Sequence, residues 1–248
     1  MLIYPLNFLL YLLRFLDFLF TSVITLLCSL LPDFMLRSFF PSLYRAWSRS
    51  FVRVFGIRER IHHMYREPLP SNYIMISNHP AGIDVIWLPG RFKVRPLSKD
   101  SFSTWPVIGS ITRNAGVMFV NRENAASRNA SLRACIKAVK GGDSILIFPE
   151  GGCLGKSLSP FQNGAFDISL KTKTPVVPVY LHYEEEDTYE WGDISTVKYI
   201  LRLLFRPANR TAHLYIFDAV NPDAFETAAE YKSSVFAFYK SLEKKYRL

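Results

Sequence analysis

The stretch YIMISNHPAGIDVIWLPG, residues 73–90, decides how the rest of the chain is read. YIMIS (73–77) is a short apolar run that ends in polar residues, which predicts a buried strand. GIDVIWLPG (82–90) predicts a short helix stopped by Pro89 and Gly90. Between them lies Asn78-His79-Pro80-Ala81-Gly82-Ile83-Asp84. Pro80 biases His79 away from helical dihedrals, so His79 belongs on the strand-to-helix turn with its ring free. Asp84 then lies about one turn into the helix, from where its carboxylate can reach back to the imidazole across the junction. A histidine held in one tautomer by an acid is the arrangement a general base needs. No serine or cysteine elbow stands beside it, so direct base catalysis is simpler than a covalent intermediate.

Working outward, apolar runs and helical patterns alternate. VRPLS (94–98) and VMFV (117–120) predict strands, with WPVIGSITRN (105–114) as a helix entered at Pro106. Residues 124–140 predict a helix opened by Asn124 and closed at Gly141-Gly142. SILIF (144–148), VVPVYLH (176–182) and HLYIFD (213–218) predict strands, and GAFDISLKT (164–172) a helix. Residues 223–246 predict a closing amphipathic helix with Asp223 as its cap. The acidic stretch EEEDTYEWGD (184–193) reads as a solvated loop. The alternation predicts an α/β fold: a mixed, largely parallel central sheet flanked by helices, with membrane-associated helices at the N-terminus. In such sheets, reactive residues gather at the carboxyl ends of strands.

Residues 1–48 differ from all that follows and form the first expected unit, with 49–248 as the α/β domain. The segment is dense in Leu, Phe and Ile, and its only charges before Asp33 are Arg14 and Asp17. These two are close enough along a helix to pair. The uncharged run 18–32 falls short of the roughly 20 residues of a straight spanning helix. No basic start or small-residue cleavage site marks a signal peptide. Either one helix spans a membrane, or one or two helices lie in the interface, breaking near Pro32, with Arg37, Arg45 and Arg49 at the headgroups. The second reading fits the composition better.

Lys and Arg number 30 against 21 Asp and Glu, a net charge of +9 that calls for an anionic partner. The basic residues are scattered rather than clustered on one helix, which argues against nucleic acid. Cys28, Cys135 and Cys153 show no metal-ligand spacing and no disulfide framework, which points to free thiols in a reducing compartment.

His, four residues, then Asp, after an apolar strand and an Asn, resembles the first motif of the glycerolipid acyltransferases, typified by 1-acylglycerol-3-phosphate acyltransferase. GVMFVNR (116–122) resembles the second motif, with Asn121 where the family usually has Asp. The resemblance implies that Arg122, helped by Lys99, holds the phosphate of the acceptor, and a guanidinium fork suits that task. FPEGG (148–152) resembles the third motif, Phe-Pro-Glu-Gly-Thr, and implies that Glu150 and Gly151 bind the acceptor or order the site. Gly152 replaces the usual Thr, Cys153 follows, and Lys156-Ser157 come a few residues late, so acceptor choice stays open. Cys153 has no base assigned to it. VVPVY (176–180) resembles the fourth motif, tied to the acyl donor, and FQNGAFDIS (161–169) resembles the segment between the last two.

The implied reaction moves a fatty acyl chain from acyl-CoA or acyl carrier protein to the free hydroxyl of a lysophospholipid. His79 is the base, Asp84 its partner, and no metal or cofactor is called for. The implied acceptor is 1-acylglycerol 3-phosphate. A lyso-ornithine lipid, glycerol 3-phosphate, another lysophospholipid or a catalytically silent lipid-binding protein are the alternatives. The implied place is the cytosolic face of a bacterial inner membrane or the endoplasmic reticulum.

Overall fold

In the computed structural model, which describes residues 3–105, 108–153, 157–192, 194–205 and 209–246, two helices precede the sheet. They are α1 (Ile3–Cys28) and α2 (Asp33–Val54). There follow β1 (Arg58–His63), β2 (Ile74–Ser77), α3 (Asp84–Arg91), β3 (Arg95–Lys99), α4 (Ile108–Asn114) and β4 (Met118–Val120). Then come α5 (Ala125–Lys140), β5 (Ile145–Ile147), α6 (Gly164–Thr172), β6 (Val176–Tyr183), α7 (Glu186–Tyr189), α8 (Thr196–Phe205), β7 (Thr211–Ile216) and α9 (Ala228–Tyr246).

The strands make one seven-stranded sheet in the order β1-β7-β6-β2-β5-β3-β4. From β6 to β4 every neighbour is parallel, while β7 runs antiparallel to β6 and β1 parallel to β7. β2 and β5 are buried along their whole length, which is why they read as continuous apolar runs rather than alternating ones. On one face Val177, Val179, Leu181 and Tyr183 of β6 pack with Trp47, Phe51 and Trp87 from α2 and α3. On the other, Val176 and Tyr180 meet Cys135, Phe166, Tyr231 and Tyr239 from α5, α6 and α9. Pro178 of β6, opposite Ile76, has no N–H to give the ladder. The Tyr239 hydroxyl is inserted there: it takes the Val179 N–H (3.0 Å) and lies 2.9 Å from both the Ile76 and Val179 carbonyls.

α1 and α2 break around residues 29–32, as expected near Pro32. α2 runs across residue 48 and sends Trp47 and Phe51 into the core, followed by Phe55 just past its end. α1 turns its hydroxyl residues and Phe18 toward the core and most of its large apolar residues outward. Thr21 bonds Ser50 (2.6 Å) and Ser22 accepts from the Trp47 indole (3.0 Å), while Leu13, Phe15, Leu19 and Phe20 are exposed. Leu9–Cys28 is long and apolar enough to cross a membrane by length and composition. Asp17 does not pair with Arg14; it pairs with Arg53 of α2 (2.8 Å), and Arg14 lies over the Tyr11 ring. The partner across the helix pair has the better geometry, and sequence proximity cannot reveal it. The Arg37 side chain, Pro106 and Lys156 lie outside what is described.

Three further expectations are corrected. α3 is not stopped at Pro89 but continues to Arg91. A proline costs that short helix one hydrogen bond, and Ser48 of α2 donates to the Ile86 carbonyl in the same turn. Asp223 does not cap α9: it sits in a 3-10 turn capped by Asn221 and pairs with Lys173 (2.7 Å). Thr227 takes the Glu230 N–H (3.2 Å), and the Glu230 side chain takes the Glu226 N–H (3.1 Å), close to a capping box. Finally, the described part of the acidic stretch, 184–192, is not a solvated loop, and Asp193 lies outside the described residues. Glu184 bonds His213 and Asn209, and Tyr189 is buried at the end of α7.

Candidate active site

β2 delivers His79 to the carboxyl edge of the sheet. Asn78 exchanges two hydrogen bonds with the Leu181 backbone (2.8 and 2.7 Å), an extra rung that fixes where β2 ends. His79 Nδ1 lies 3.0 Å from Asp84 Oδ2, at the first residue of α3. The Asp84 carboxylate is fully buried and fully used: Oδ2 also accepts the Ala81 N–H (2.8 Å), and Oδ1 accepts the Tyr183 hydroxyl (2.6 Å). Burial first, and the adjacent Asp84 charge second, hold the Tyr183 phenol well above its ordinary pKa, so it is always a donor. An anionic Asp84 assigns the His79 proton to Nδ1 and leaves the Nε2 lone pair outward. Nε2 has no hydrogen-bond partner among the described residues, and the His79 side chain is 13% exposed. Phe148 of the FPEGG turn stacks on the imidazole at 4.1 Å.

Glu150 lies under this turn. One oxygen accepts the His79 N–H and the other the Ser159 N–H, both at 2.8 Å, so both are committed to backbone and the residue orders the site. Burial raises its pKa, against the pull of the two amides. Gly151 adopts φ +82°, which favours glycine, and its N–H closes the turn onto the Phe148 carbonyl (3.1 Å). Cys153 follows, its thiol pushed up to about 12 by burial and then by the Asp84 charge.

Lys99 ends β3 and Arg122 lies two residues beyond β4, at the same edge of the sheet as His79. β3 and β4 are two and three strands from β2, or about 10 and 14 Å at about 4.8 Å per strand. Neither cation has a carboxylate partner among the described residues, and burial lowers the pKa of Arg122.

On the other side of the turn, an apolar cavity runs between α3, α4 and α8, lined by Ile83, Ile86, Phe102, Trp105, Phe119 and Trp191 among others. Gly82 is its threshold. A Cβ there would lie 1.9 Å from the Trp191 ring, and the Gly82 N–H donates to Tyr199 (2.9 Å), on which Trp191 stacks at 4.6 Å.

Phe148, Tyr183, Trp191 and Tyr199 were not singled out from the sequence. Tyr183 had a signal: it continues the inward parity of Val177, Val179 and Leu181 one pair beyond the motif. Phe148 stood inside a motif read for its glutamate. Trp191 lies in an irregular acidic stretch, and Tyr199 on the amphipathic helix α8, whose period marks it as inward-facing but not as a site residue.

A family model described as acyltransferase matches residues 60–182, the segment that holds His79, Asp84, Lys99, Arg122, Glu150 and Gly151. The chain is 26% identical over 118 residues to the 1-acyl-sn-glycerol-3-phosphate acyltransferase of Neisseria gonorrhoeae, a match spanning 47% of this chain and 46% of that protein. It is 25% identical over 169 residues to the lyso-ornithine lipid O-acyltransferase of Pseudomonas aeruginosa, spanning 66% and 63%. The chain thus spans about half the length of several of the curated relatives it matches. The fold is shared with the crystal structure of a 1-acyl-sn-glycerophosphate acyltransferase from Thermotoga maritima, with a TM-score of 0.59, 23% identity, and 96% and 97% of the two chains covered. With the motifs in order along the chain and the family match over the same segment, the chain belongs to the glycerolipid acyltransferase family.

Proposed function

We propose that this protein moves a fatty acyl chain from the thioester of acyl-CoA or acyl carrier protein to the free hydroxyl of 1-acylglycerol 3-phosphate, giving phosphatidic acid. The observation that carries this is the His79–Asp84 pair, with Nδ1 committed to the carboxylate and Nε2 unengaged. Nε2 takes the hydroxyl proton as the oxygen attacks the thioester carbonyl, and Asp84 steadies the imidazolium. Collapse of the tetrahedral intermediate breaks the C–S bond, and the imidazolium returns the proton to the leaving thiolate. The proton cycle closes on His79, so the scheme calls for no metal or cofactor.

Lys99 and Arg122 face the acceptor phosphate, which a guanidinium fork and an ammonium both suit. Glu150 and Gly151 hold the turn under His79. The apolar cavity beside Gly82 offers an acyl chain a dry path away from the reacting carbonyl. The exposed apolar side of α1 seats the enzyme on a membrane, with the site on the cytosolic side, where acyl-CoA and acyl carrier protein are found.

The test is a panel of lysophospholipid acceptors with both donors. His79→Ala should cost about 10²–10⁴-fold in kcat, the scale of a lost general base, with folding and membrane binding retained. Full activity in that variant would overturn the mechanism. A lyso-ornithine lipid acceptor is the second reading, favoured by the 169-residue match to an enzyme of that name. Arg122→Ala separates the two: it should raise KM for an acceptor with a phosphomonoester and leave an acceptor without phosphate unaffected.

A further inference from the structure

Outside the site, α8 carries apolar surface that the fold leaves uncovered. Val197, Leu201 and Phe205 recur every four residues and are 69%, 48% and 80% exposed. Single exposed apolar residues are ordinary, but a stripe of three on one helix is not. The opposite face of α8 buries Tyr199 and Leu203, and Thr196, Tyr199 and Ile200 line the apolar cavity. The stripe is also joined to α1. Arg210 binds the Leu203 and Leu204 carbonyls at the end of α8 (3.2 and 2.9 Å) and lies over the α1 ring of Tyr11 at 5.6 Å. Tyr11 sits among Leu9, Leu10, Leu12 and Leu13, all exposed.

We propose that the outer face of α8 is a second bilayer contact, inserted in the lipid interface alongside the N-terminal half of α1. The bilayer then lies against the helix that walls the cavity, so a lipid chain has one helix thickness to pass. A lipid surface fits better than a protein partner. Three side chains fall well short of the roughly 800 Å² per partner of a stable protein interface. They do suit a helix lying in a headgroup region, where exposed Lys198 can meet lipid phosphates. The inference holds whatever the acceptor, and its main test does not depend on the reaction.

The experiment places a nitroxide on Leu201→Cys in the full chain carrying Cys28→Ser and Cys153→Ser, bound to vesicles of phosphatidylethanolamine and phosphatidylglycerol. Ser233→Cys, exposed on α9 at the other face of the sheet, serves as the aqueous reference. On vesicle binding, the label at 201 should become more accessible to oxygen than to a water-soluble nickel chelate, while the label at 233 stays aqueous. A label at 201 that stays water-accessible in vesicle-bound protein overturns the proposal. So does dipolar broadening between labels, which would place a second copy on the stripe. As a second measurement, the triple variant Val197→Ser/Leu201→Ser/Phe205→Ser should lose about fivefold or more in rate on vesicle-borne acceptor and nothing on a short-chain acceptor in solution, because burial of apolar side chains drives interfacial seating. Equal rates on both acceptors would again overturn it. Absence of any transferase activity, with the spin label buried in lipid, would refute the reaction and leave the lipid contact standing.

Discussion

Replacing Tyr183 by Phe removes one oxygen and leaves the ring where it is, stacked on Tyr189 at 4.3 Å and beside Trp87 at 5.9 Å. Among the described residues the lost group is the only donor to Asp84 Oδ1, at 2.6 Å, within the range of a charge-assisted O–H···O bond. Asp84 is inaccessible to water and its other oxygen already serves His79 and Ala81, so nothing takes the place of the hydroxyl. A hydrogen bond to a charged group contributes about 1.5–3 kcal/mol. At about 2–4 °C per kcal/mol for a chain of this size, Tm should drop by about 3–12 °C. Tyr183 touches Asp84 rather than substrate, so kcat should fall, by about tenfold against the roughly 10²–10⁴-fold expected for loss of the base itself, while the KM for acceptor stays put. Matched-rate thermal scans in detergent, with initial rates across acceptor concentration, measure both. A Tm within 1 °C of wild type together with unchanged kcat would refute the view that Tyr183 positions the pair.

Glu150→Gln should alter the pH dependence of stability. The raised pKa of Glu150 means its stabilising contribution is complete below the ordinary glutamate value and is lost as pH rises through the raised one. Wild type should therefore lose stability relative to the variant as pH rises above the unfolded glutamate value of about 4.3; parallel urea-melt curves would refute this. Gly82→Ala should cost about 1–3 kcal/mol by overpacking against Trp191, and Trp191→Leu in the same chain should restore most of it, as read by Tm. Cys153→Ser should keep full activity, and the wild-type thiol should resist iodoacetamide at pH 8, because the thiolate is the reactive form. An acyl thioester on Cys153 in the mass spectrum would contradict that.

Where local pattern and tertiary demand agreed, the sequence was sufficient. α6 has the boundaries its composition implies, and Asn124 caps α5 by taking the Ser127 N–H (3.1 Å). The His79 turn was legible because Pro80 and the preceding apolar strand restrict the backbone on both sides. β1 was missed because RERIHH is an edge strand held by a single neighbour and has no apolar run to announce it. α7 was missed because it is a single turn inside an acidic stretch, whereas α8 carries a legible four-residue apolar period (Val197, Leu201, Phe205) that was passed over because it follows that stretch with no motif. Asp17 bonds across thirty-six positions to Arg53, and Tyr183 bonds Asp84 across ninety-nine; spacing rules see only the near neighbour. Within the candidate site, the reacting pair was readable and its supports were not: Phe148, Tyr183, Trp191 and Tyr199 act through contacts made by distant strands and loops.

The tyrosine hydroxyl that fills the gap at Pro178 has a consequence for how the protein is made. Ile76 stands three residues before His79, and the seam between β2 and β6 is completed only by Tyr239, from the last helix in chain order. A nascent chain that has already emerged through residue 183 carries every motif residue, yet its central seam still lacks this hydroxyl. The seam beside the edge that carries His79 is therefore completed only once synthesis has passed Tyr239, which links it to a helix made some fifty residues after the last motif.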